Sequence, residues 1–231
     1  MKNDVIIVIP ARGGSKGIPR KNLQLINGKP LISYAINIAK KVNNVSNIIV
    51  STDDDEITET SKNYGAEVVR RPPELATDNV NLLPVNKHVL KILEDDQNFP
   101  HCVVSLQPTS PLLQSLSVNE ALKLQKTTDC DSVSSIGIVK HNHPYWTKSM
   151  DPVTKRINNF TEIDGDKYLQ KQDLPICYSY TGGFYIRKSE IIRTGVDKGL
   201  GTDSRGFVVS DKEALDIDYP IDLEFFRYLM R

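Results

Sequence analysis

Short apolar runs alternate along this chain with segments in which apolar residues recur every three or four positions. The runs at 5–9, 48–51 and 102–106 predict buried strands, and the periodic segments at 30–42 and 82–93 predict amphipathic helices. Strands that alternate with helices require crossover connections. The pattern therefore predicts an α/β fold with a mostly parallel, doubly wound, Rossmann-like sheet that carries helices on both faces.

The remaining segments continue this alternation within a chain that we expect to form a single domain, residues 1–231. Further strands are predicted at 67–69, 132–139, 178–187, 207–209 and 214–217. Further helices are predicted from Asp53 or Asp54 to about Tyr64, at 117–126 and at 221–230.

The alternation breaks at 141–175, a polar and proline-punctuated segment that contains the only tryptophan, Trp146. Long irregular insertions are usually functional or interfacial. We interpret this segment as an inserted subdomain or a long surface excursion.

A glycine-rich, basic loop follows the first predicted strand. It holds Gly13, Gly14 and Gly17, and four cations lie in or beside it: Arg12, Lys16, Arg20 and Lys21. Glycines let backbone N–H groups approach a ligand closely. The loop matches neither G-x-x-x-x-G-K-[ST] nor G-x-G-x-x-G. A tight basic surface turn is the plain alternative, but strand, glycines and cations together favour a triphosphate site.

Two other corners also follow predicted strands, at 51–53 and 107–109. In open parallel sheets, ligands bind beyond the carboxyl ends of the strands. We therefore expect both corners to share one edge of the sheet with the loop at 10–22.

Charge and cysteine content narrow the function classes. Lys plus Arg and Asp plus Glu both number 29, so the formal net charge is zero, which argues against a nucleic-acid partner. Three widely spaced cysteines without a CxxC pair indicate neither a zinc site nor a disulfide framework. The early apolar run is too short for a signal peptide or a membrane span, so we expect a cytosolic protein without a membrane partner.

Several motifs together resemble the acylneuraminate cytidylyltransferases, the CMP-sialic acid synthetases. The blocks that carry the resemblance are IPARGGSKGIPRKN at 9–22, NGKPL at 27–31, IVSTD at 49–53, RPPELATD at 71–78, LQPTSPL at 106–112 and DID at 216–218. They lie in the family's order between residues 5 and 226. The resemblance implies transfer of CMP from CTP to the anomeric hydroxyl of a nine-carbon keto-sugar acid, with release of pyrophosphate.

The resemblance also implies roles for individual residues. Arg12 and Lys21 would contact the CTP phosphates and act in catalysis, Asn22 and Arg71 would contact cytosine, and Asn81 would replace a ribose-binding hydroxyl. Backbone groups of the loop would complete the nucleotide site, with Ala11, Gly13, Gly14 and Ser15 among its residues. Without the surrounding blocks, the plainer interpretations would be that Asn22 caps a turn and that Arg71 is a solvated surface residue.

Asp216 and Asp218 lie two apart in a predicted strand, so both side chains should point to one face. Two such carboxylates can hold Mg²⁺, although exposed acids on an edge strand are the commoner case. The resemblance favours the metal site, with Asp218 as direct ligand and base and Asp216 acting through water.

The acceptor side departs from the family's pattern. Gln107 matches a position near the sugar, and Thr181 stands in the changed segment 179–183. The family's arginine that would pair with the sugar carboxylate is missing here, and Lys171 or Lys140 could replace it. In one form of this hypothesis, the lysine comes from a second subunit. The acceptor could be N-acetylneuraminate, legionaminate, pseudaminate or a related acid.

In the family, the excursion after the middle strand forms a dimer arm that contributes residues to the neighbouring site. The resemblance thus implies that 141–175 is an inserted dimerisation arm and that the protein is a homodimer, with a flap on a monomer as the alternative. Competing functions are nucleotidyl transfer to another acid such as Kdo or from another nucleotide, and a non-catalytic nucleotide-binding regulatory module.

Overall fold

A computed structural model describes residues 5–231 of this chain. The strands in chain order are β1 (Val5–Pro10), β2 (Leu25–Ile26), β3 (Lys29–Pro30), β4 (Val45–Thr52), β5 (Glu67–Arg70), β6 (Cys102–Leu106), β7 (Ser132–Ile138), β8 (Lys148–Met150), β9 (Ile157–Asn159), β10 (Tyr178–Lys188) and β11 (Ser204–Val208). The α-helices are α1 (Leu31–Ala39), α2 (Asp55–Asn63), α3 (Leu82–Asp95), α4 (Ser115–Thr128), α5 (Ser189–Thr194) and α6 (Pro220–Leu229).

Seven strands form the central sheet in the order β11-β7-β10-β6-β1-β4-β5. All its pairs are parallel except those of β10, which runs antiparallel to both β6 and β7. The predicted α/β fold with a mostly parallel sheet is therefore confirmed. Because β10 is reversed, its first residues lie at the edge where β6 and β7 end.

Helices cover both faces of the sheet, as the apolar runs predict. Successive residues of β1 alternate between two core clusters, with Ile7 and Ile9 in one and Ile6 and Val8 in the other. The first cluster packs against α1, α2 and α4, and the second against α3 and α5. Strand β1 is thus buried on both faces, so the loop that follows it starts from a rigid base.

A third core cluster holds the carboxyl-terminal part of the chain. Ile217 packs there with Ile18, Leu31, Leu223 and Phe226, which join the basic loop, α1 and α6. The predicted strand at 214–217 is wrong, because this stretch is irregular and its one bond to the sheet edge runs from Ile217 N–H to the Thr109 carbonyl at 2.8 Å. Leu215 and Ile217 pack in this third cluster, and Ala214 packs against the first cluster.

The segment 141–175 contains the hairpin β8–β9 and several single turns of 3₁₀-helix. It leaves the sheet after β7 and returns at β10, whose Tyr178 pairs with Ile138. Within residues 5–231, no helix has the length and apolar character needed to cross a membrane.

Candidate active site

The loop after β1 is held at several points by backbone and side-chain contacts. Ala11 N–H donates to the Ser51 carbonyl at 2.9 Å, and Gly13 N–H donates to Asp53 Oδ1 at 2.9 Å. The amide of Asn22 donates to the Arg12 carbonyl at 3.1 Å, which closes the loop on itself. Asp53 thus stabilises this loop by accepting a hydrogen bond from it, whereas Asp54 caps α2 by accepting from the N–H of Ile57.

Gly17 shows how closely the loop approaches the 216–218 segment. A Cβ at this position would lie 2.3 Å from the Asp218 carbonyl oxygen, closer than any non-bonded contact allows. Glycine is therefore required here by the contact itself.

Lys21 joins the same two regions through its ammonium group. Its Nζ donates to the Ile217 carbonyl at 2.8 Å and to Asp218 Oδ1 at 3.0 Å. The loop cation and the late carboxylate, which are far apart in the sequence, therefore occupy one site.

The other loop cations divide into two groups. Arg12 and Lys16 both pair with the carboxylate of Asp78, at 2.6 Å and 2.5 Å. Lys16 and then Arg12 hold the pKa of Asp78 below its ordinary value. Arg20 pairs instead with Asp54 and Glu56 at the start of α2, so it links the loop to that helix.

A cleft of about 240 Å³ opens between the loop and the strand ends. Its lining includes the expected residues Arg12, Ser15, Lys21, Asn22, Gln107 and Asp218. Gln107 Nε2 is buried there without a hydrogen-bond partner in the described chain. An unpaired buried donor at a cleft wall is suited to a polar ligand group.

Asp216 lies beside this cleft, half-buried, and Asp218 is exposed. Burial raises the pKa of Asp216, with a further contribution from Asp218, while the hydroxyl of Thr109 and Lys21 oppose the rise. The Oδ1 atom of Asp216 has no hydrogen-bond partner in residues 5–231. The two carboxylates therefore share a site, although irregular chain and not a strand brings them there.

Arg71 and Asn22, the two residues expected to bind cytosine, are both only 5% exposed. Arg71 donates from Nη2 to the Ser51 carbonyl at 2.6 Å and from Nε to Ser51 Oγ at 3.2 Å. Burial lowers the pKa of Arg71 to about 10, with Asp53 opposing and Arg12 adding to the shift. Arg71 therefore remains charged at neutral pH, next to the loop.

The structure does not bring all predicted site residues to the cleft. Asn81 caps α3, accepting from Leu83 N–H at 3.0 Å. Thr181 is buried and donates to Ser135 Oγ at 2.9 Å. Lys171 lines a different pocket of about 360 Å³, with Lys140 and Trp146, at the base of the 141–175 segment.

Sequence reasoning missed two residues of this site. Asp78 appears in a quoted block, but only the structure shows it as counter-ion of Arg12 and Lys16. Thr109 contributes its carbonyl to Ile217 and its hydroxyl to the surroundings of Asp216. The sequence signal that could have identified Thr109 as a site residue was its position two residues after Gln107, at a predicted strand end.

Fold and cleft together define a doubly wound α/β protein with a polar cleft, lined by Arg12, Lys16 and Lys21, at the carboxyl ends of its strands. Residues 6–229 match the sequence pattern of the family described as cytidylyltransferase. The chain belongs to this cytidylyltransferase family.

Among curated relatives, the chain is 31% identical over 226 residues to an N-acylneuraminate cytidylyltransferase of Escherichia coli O18:K1:H7, covering 97% of this chain and 51% of that protein. It is 32% identical over 227 residues to a CMP-N,N'-diacetyllegionaminic acid synthase of Legionella pneumophila, covering 98% of this chain and 96% of that protein. The chain thus spans about half the length of the first of these relatives.

The fold also occurs in solved structures of low sequence identity. A CMP:2-keto-3-deoxy-manno-octonic acid synthetase complexed with CTP superposes with a TM-score of 0.71 at 18% identity, covering 98% of each chain. A 4-diphosphocytidyl-2C-methyl-D-erythritol synthase gives a TM-score of 0.69 at 14% identity over the whole of both chains. These likenesses support the fold assignment.

Proposed function

We propose that this protein transfers CMP from CTP to the anomeric hydroxyl of a nonulosonic, sialic-type sugar acid and releases pyrophosphate. The observation that carries the proposal is the bridge that Lys21 of the basic loop makes to the Ile217 carbonyl and to the Asp218 carboxylate. It joins cations suited to a triphosphate with carboxylates suited to an activating ion. Family membership and the printed activities of the curated relatives support the same reaction.

In this reaction, the anomeric oxygen forms a bond to the α-phosphorus of CTP. The bond from that phosphorus to the oxygen bridging to the β-phosphate breaks, and pyrophosphate leaves with that oxygen. Arg12, Lys16 and Lys21 lie where they would neutralise the charge that builds up on the leaving group. Backbone N–H groups of the loop add further donors. The proton of the attacking hydroxyl passes to a base, for which Asp218 is the candidate.

We propose Mg²⁺ as the cofactor, held by Asp216 and Asp218. Within residues 5–231 no cluster of three or more His, Cys, Asp or Glu side chains could hold a metal ion by itself. Two carboxylates fit a Mg²⁺ that completes its shell with water and phosphate oxygens, and the unpaired Oδ1 of Asp216 is available as a ligand. When bound, the ion would neutralise phosphate charge and lower the pKa of the attacking hydroxyl.

We propose that the segment 141–175 is a dimerisation arm. It exposes large apolar side chains, with Leu169 at 88% and Val153 at 86% exposure. The neighbouring sheet face exposes Tyr178 and Tyr180 as well. Exposed apolar surface of this kind marks interaction sites, and a second copy of the arm would cover it. Light scattering that gives one subunit mass at working concentration would reject the dimer.

We also propose a reducing, cytosolic setting. All three cysteines, Cys102, Cys130 and Cys177, are free thiols in the structure, and burial raises the pKa of Cys102 to about 12. Free structural cysteines are typical of reducing compartments.

The transfer activity is tested by incubating the protein with CTP, Mg²⁺ and a panel of sugar acids that includes N-acetylneuraminate, a legionaminate and Kdo. We expect a CMP-sugar by mass spectrometry and equimolar pyrophosphate with a nonulosonic acid. ATP, UTP and GTP in place of CTP test the choice of base. Asp218→Asn should abolish turnover, whereas Asp95→Asn, at an exposed acid that ends α3 outside the cleft, should retain it. No CMP-sugar from any nonulosonic acid would contradict the proposal.

A further inference from the structure

Arg187 on β10 is a buried cation that has no acidic partner in residues 5–231. It is 6% exposed, and its Nε and Nη1 atoms have no hydrogen-bond partner in the described part of the chain. Burial lowers its pKa, and the neighbouring groups that oppose this shift are tyrosines and not carboxylates. A buried charge without a partner is strongly destabilising. The N–H groups at Nε and Nη1 of Arg187 are therefore available to a hydrogen-bond acceptor from a ligand.

Arg187 is connected to the active-site cleft through Tyr185. Its guanidinium carbon lies 5.0 Å from the centre of the Tyr185 ring, and that ring lies 6.2 Å from the ring of Tyr180. Burial raises the pKa of Tyr185, while Arg187 lowers it and Asp216 raises it further. Tyr185 thus lies within electrostatic reach of both the cation and the carboxylate at the cleft.

The register of β10 gives the order of these groups. At the cleft end, Gln107 N–H donates to the Gly183 carbonyl at 3.0 Å. Tyr185 follows, opposite Ser105, and Arg187 lies two residues further along the same face of β10. A row of polar and aromatic side chains therefore leads from Gln107 and Asp216, on the acceptor side of the cleft, to Arg187.

The sheet face around Tyr185 holds further unpaired polar atoms. Ser134 lies opposite Tyr185 on β7, and its Oγ has no partner within the described chain. Asn86 of α3 donates to Ser105 Oγ at 2.6 Å, which leaves the buried Asn86 Oδ1 unpaired. Buried polar groups are nearly always hydrogen-bonded in native proteins. A concentration of unpaired ones on one face makes this part of the sheet polar, unlike the apolar core on either side of β1.

We propose that Arg187 binds an oxygen acceptor of the sugar-acid substrate, either its carboxylate or an acyl carbonyl, and is a specificity-determining residue of the acceptor side. This inference rests on the function proposed above. The guanidinium fork suits planar oxygen groups, and the Tyr185 face holds it in orientation. The cations of the cleft, Arg12, Lys16 and Lys21, are assigned above to the phosphates of CTP and pair here with Asp78 and Asp218, and Lys171 lines a separate pocket.

The test uses full-length Arg187→Met and Arg187→Lys with three acceptors: an N-acylated nonulosonic acid, its methyl ester and its N-deacylated amine. Pyrophosphate release gives KM and kcat for each acceptor and for CTP. Arg205→Met is the matched control, because Arg205 is exposed on β11 and pairs with Asp203. Calorimetry of CTP binding shows that each variant keeps its nucleotide site.

We expect Arg187→Met to raise KM for the parent acid at least tenfold, with KM for CTP unchanged. The penalty should vanish for the ester if Arg187 binds the carboxylate, and for the amine if it binds the acyl carbonyl. Arg187→Lys, which retains the charge, should recover part of the loss in the carboxylate case. It also supplies the comparison if the methionine variant does not fold.

An unchanged acceptor KM in Arg187→Met, or in Arg187→Lys where the methionine variant does not fold, would overturn the inference. So would an equal loss with all three acceptors, which is what a purely structural arginine predicts. If wild-type protein makes no CMP-sugar from any acid, the proposed function itself fails and the inference with it. That result differs from an active wild type whose Arg187 variants behave normally.

Discussion

The basic loop at 10–22 and the segment 141–175 are both irregular and polar, yet they are held in different ways. The loop is fixed by residues distant in sequence, through Asp53 at Gly13 and through the Ile217 carbonyl at Lys21. The segment is held mainly by its own residues, as in the bond from Trp146 Nε1 to the Gly165 carbonyl at 3.0 Å. The loop is therefore held by contacts within a single chain, whereas the segment 141–175 exposes apolar surface that the described chain does not cover.

Lys21→Met should have the largest effect, because it removes the cation that links the loop to Asp218. We expect a loss of about 10²- to 10³-fold in kcat/KM, the usual cost of removing one charge-stabilising donor. Pyrophosphate release measures it. Lys123→Met, at an exposed position of α4, is the control and should keep wild-type turnover. A loss below threefold would mean that the loop is not the phosphate site.

Leu169→Asp tests the other region. A carboxylate buried against apolar surface loses its hydration without gaining a partner, so the variant should weaken a dimer by about 2 kcal/mol, or roughly 30-fold. Sedimentation or light scattering across a dilution series measures it. Leu116→Asp places the same change at an exposed leucine of α4 and should leave the assembly intact. Equal behaviour of the two variants would exclude Leu169 from the interface.

Glu213→Gln tests how the chain leading to Asp216 is anchored. The buried Glu213 carboxylate accepts from Gln114 N–H at 3.1 Å, from Ser117 Oγ at 2.5 Å and from Ser210 Oγ at 2.8 Å. The variant should lower the free energy of unfolding by about 1–3 kcal/mol near neutral pH, measured by urea denaturation.

The pH dependence of this loss has a defined sign. Burial raises the pKa of Glu213, but its hydrogen bonds outweigh burial, and the net pKa lies below the ordinary 4.5. The stabilisation is therefore present above that value and is lost as pH falls through the lower folded pKa. The difference between wild type and Glu213→Gln should shrink in acid. A constant difference would show that the carboxylate's charge is not what anchors the segment.

Asp78→Asn should have the smallest effect, and in the opposite direction. Asp78 neutralises Arg12 and Lys16, so phosphates must displace it. Exposed ion pairs contribute little, so we expect KM for CTP to fall only about two- to fivefold. Asp55→Asn removes a comparable exposed pair with Arg70 and should not change KM. A raised KM in Asp78→Asn would instead make Asp78 part of the nucleotide site.

Much of the fold could be predicted, because the buried strand at 5–9 is apolar without interruption, the strand at 102–106 is interrupted only by Ser105, and the helices are amphipathic. The prediction of a strand at 214–217 is wrong because Leu215 and Ile217 pack in the cluster between α6 and the loop, and within residues 5–231 this stretch pairs with no strand. A pattern of apolar residues predicts burial, and a buried segment can pack in the core without pairing with other strands.

At the site, the loop and its cations were predictable from glycines and charges that lie together in the sequence. The partnership of Lys21 with Asp218 could be expected only through the family resemblance, because 197 positions separate the two residues. The unpaired state of Arg187 could not be predicted at all. It depends on which groups face β10 from neighbouring strands and helices, and no local pattern encodes that.

The reversed direction of β10 has a consequence for how this scaffold can vary. Because Ile138 and Tyr178 are paired neighbours, the excursion between them starts and finishes at adjacent points beside the cleft. Closing a longer or shorter connection between two fixed neighbours changes chain entropy only slowly. The segment 141–175 can therefore change in length and sequence while the parallel strands that carry the basic loop keep their register.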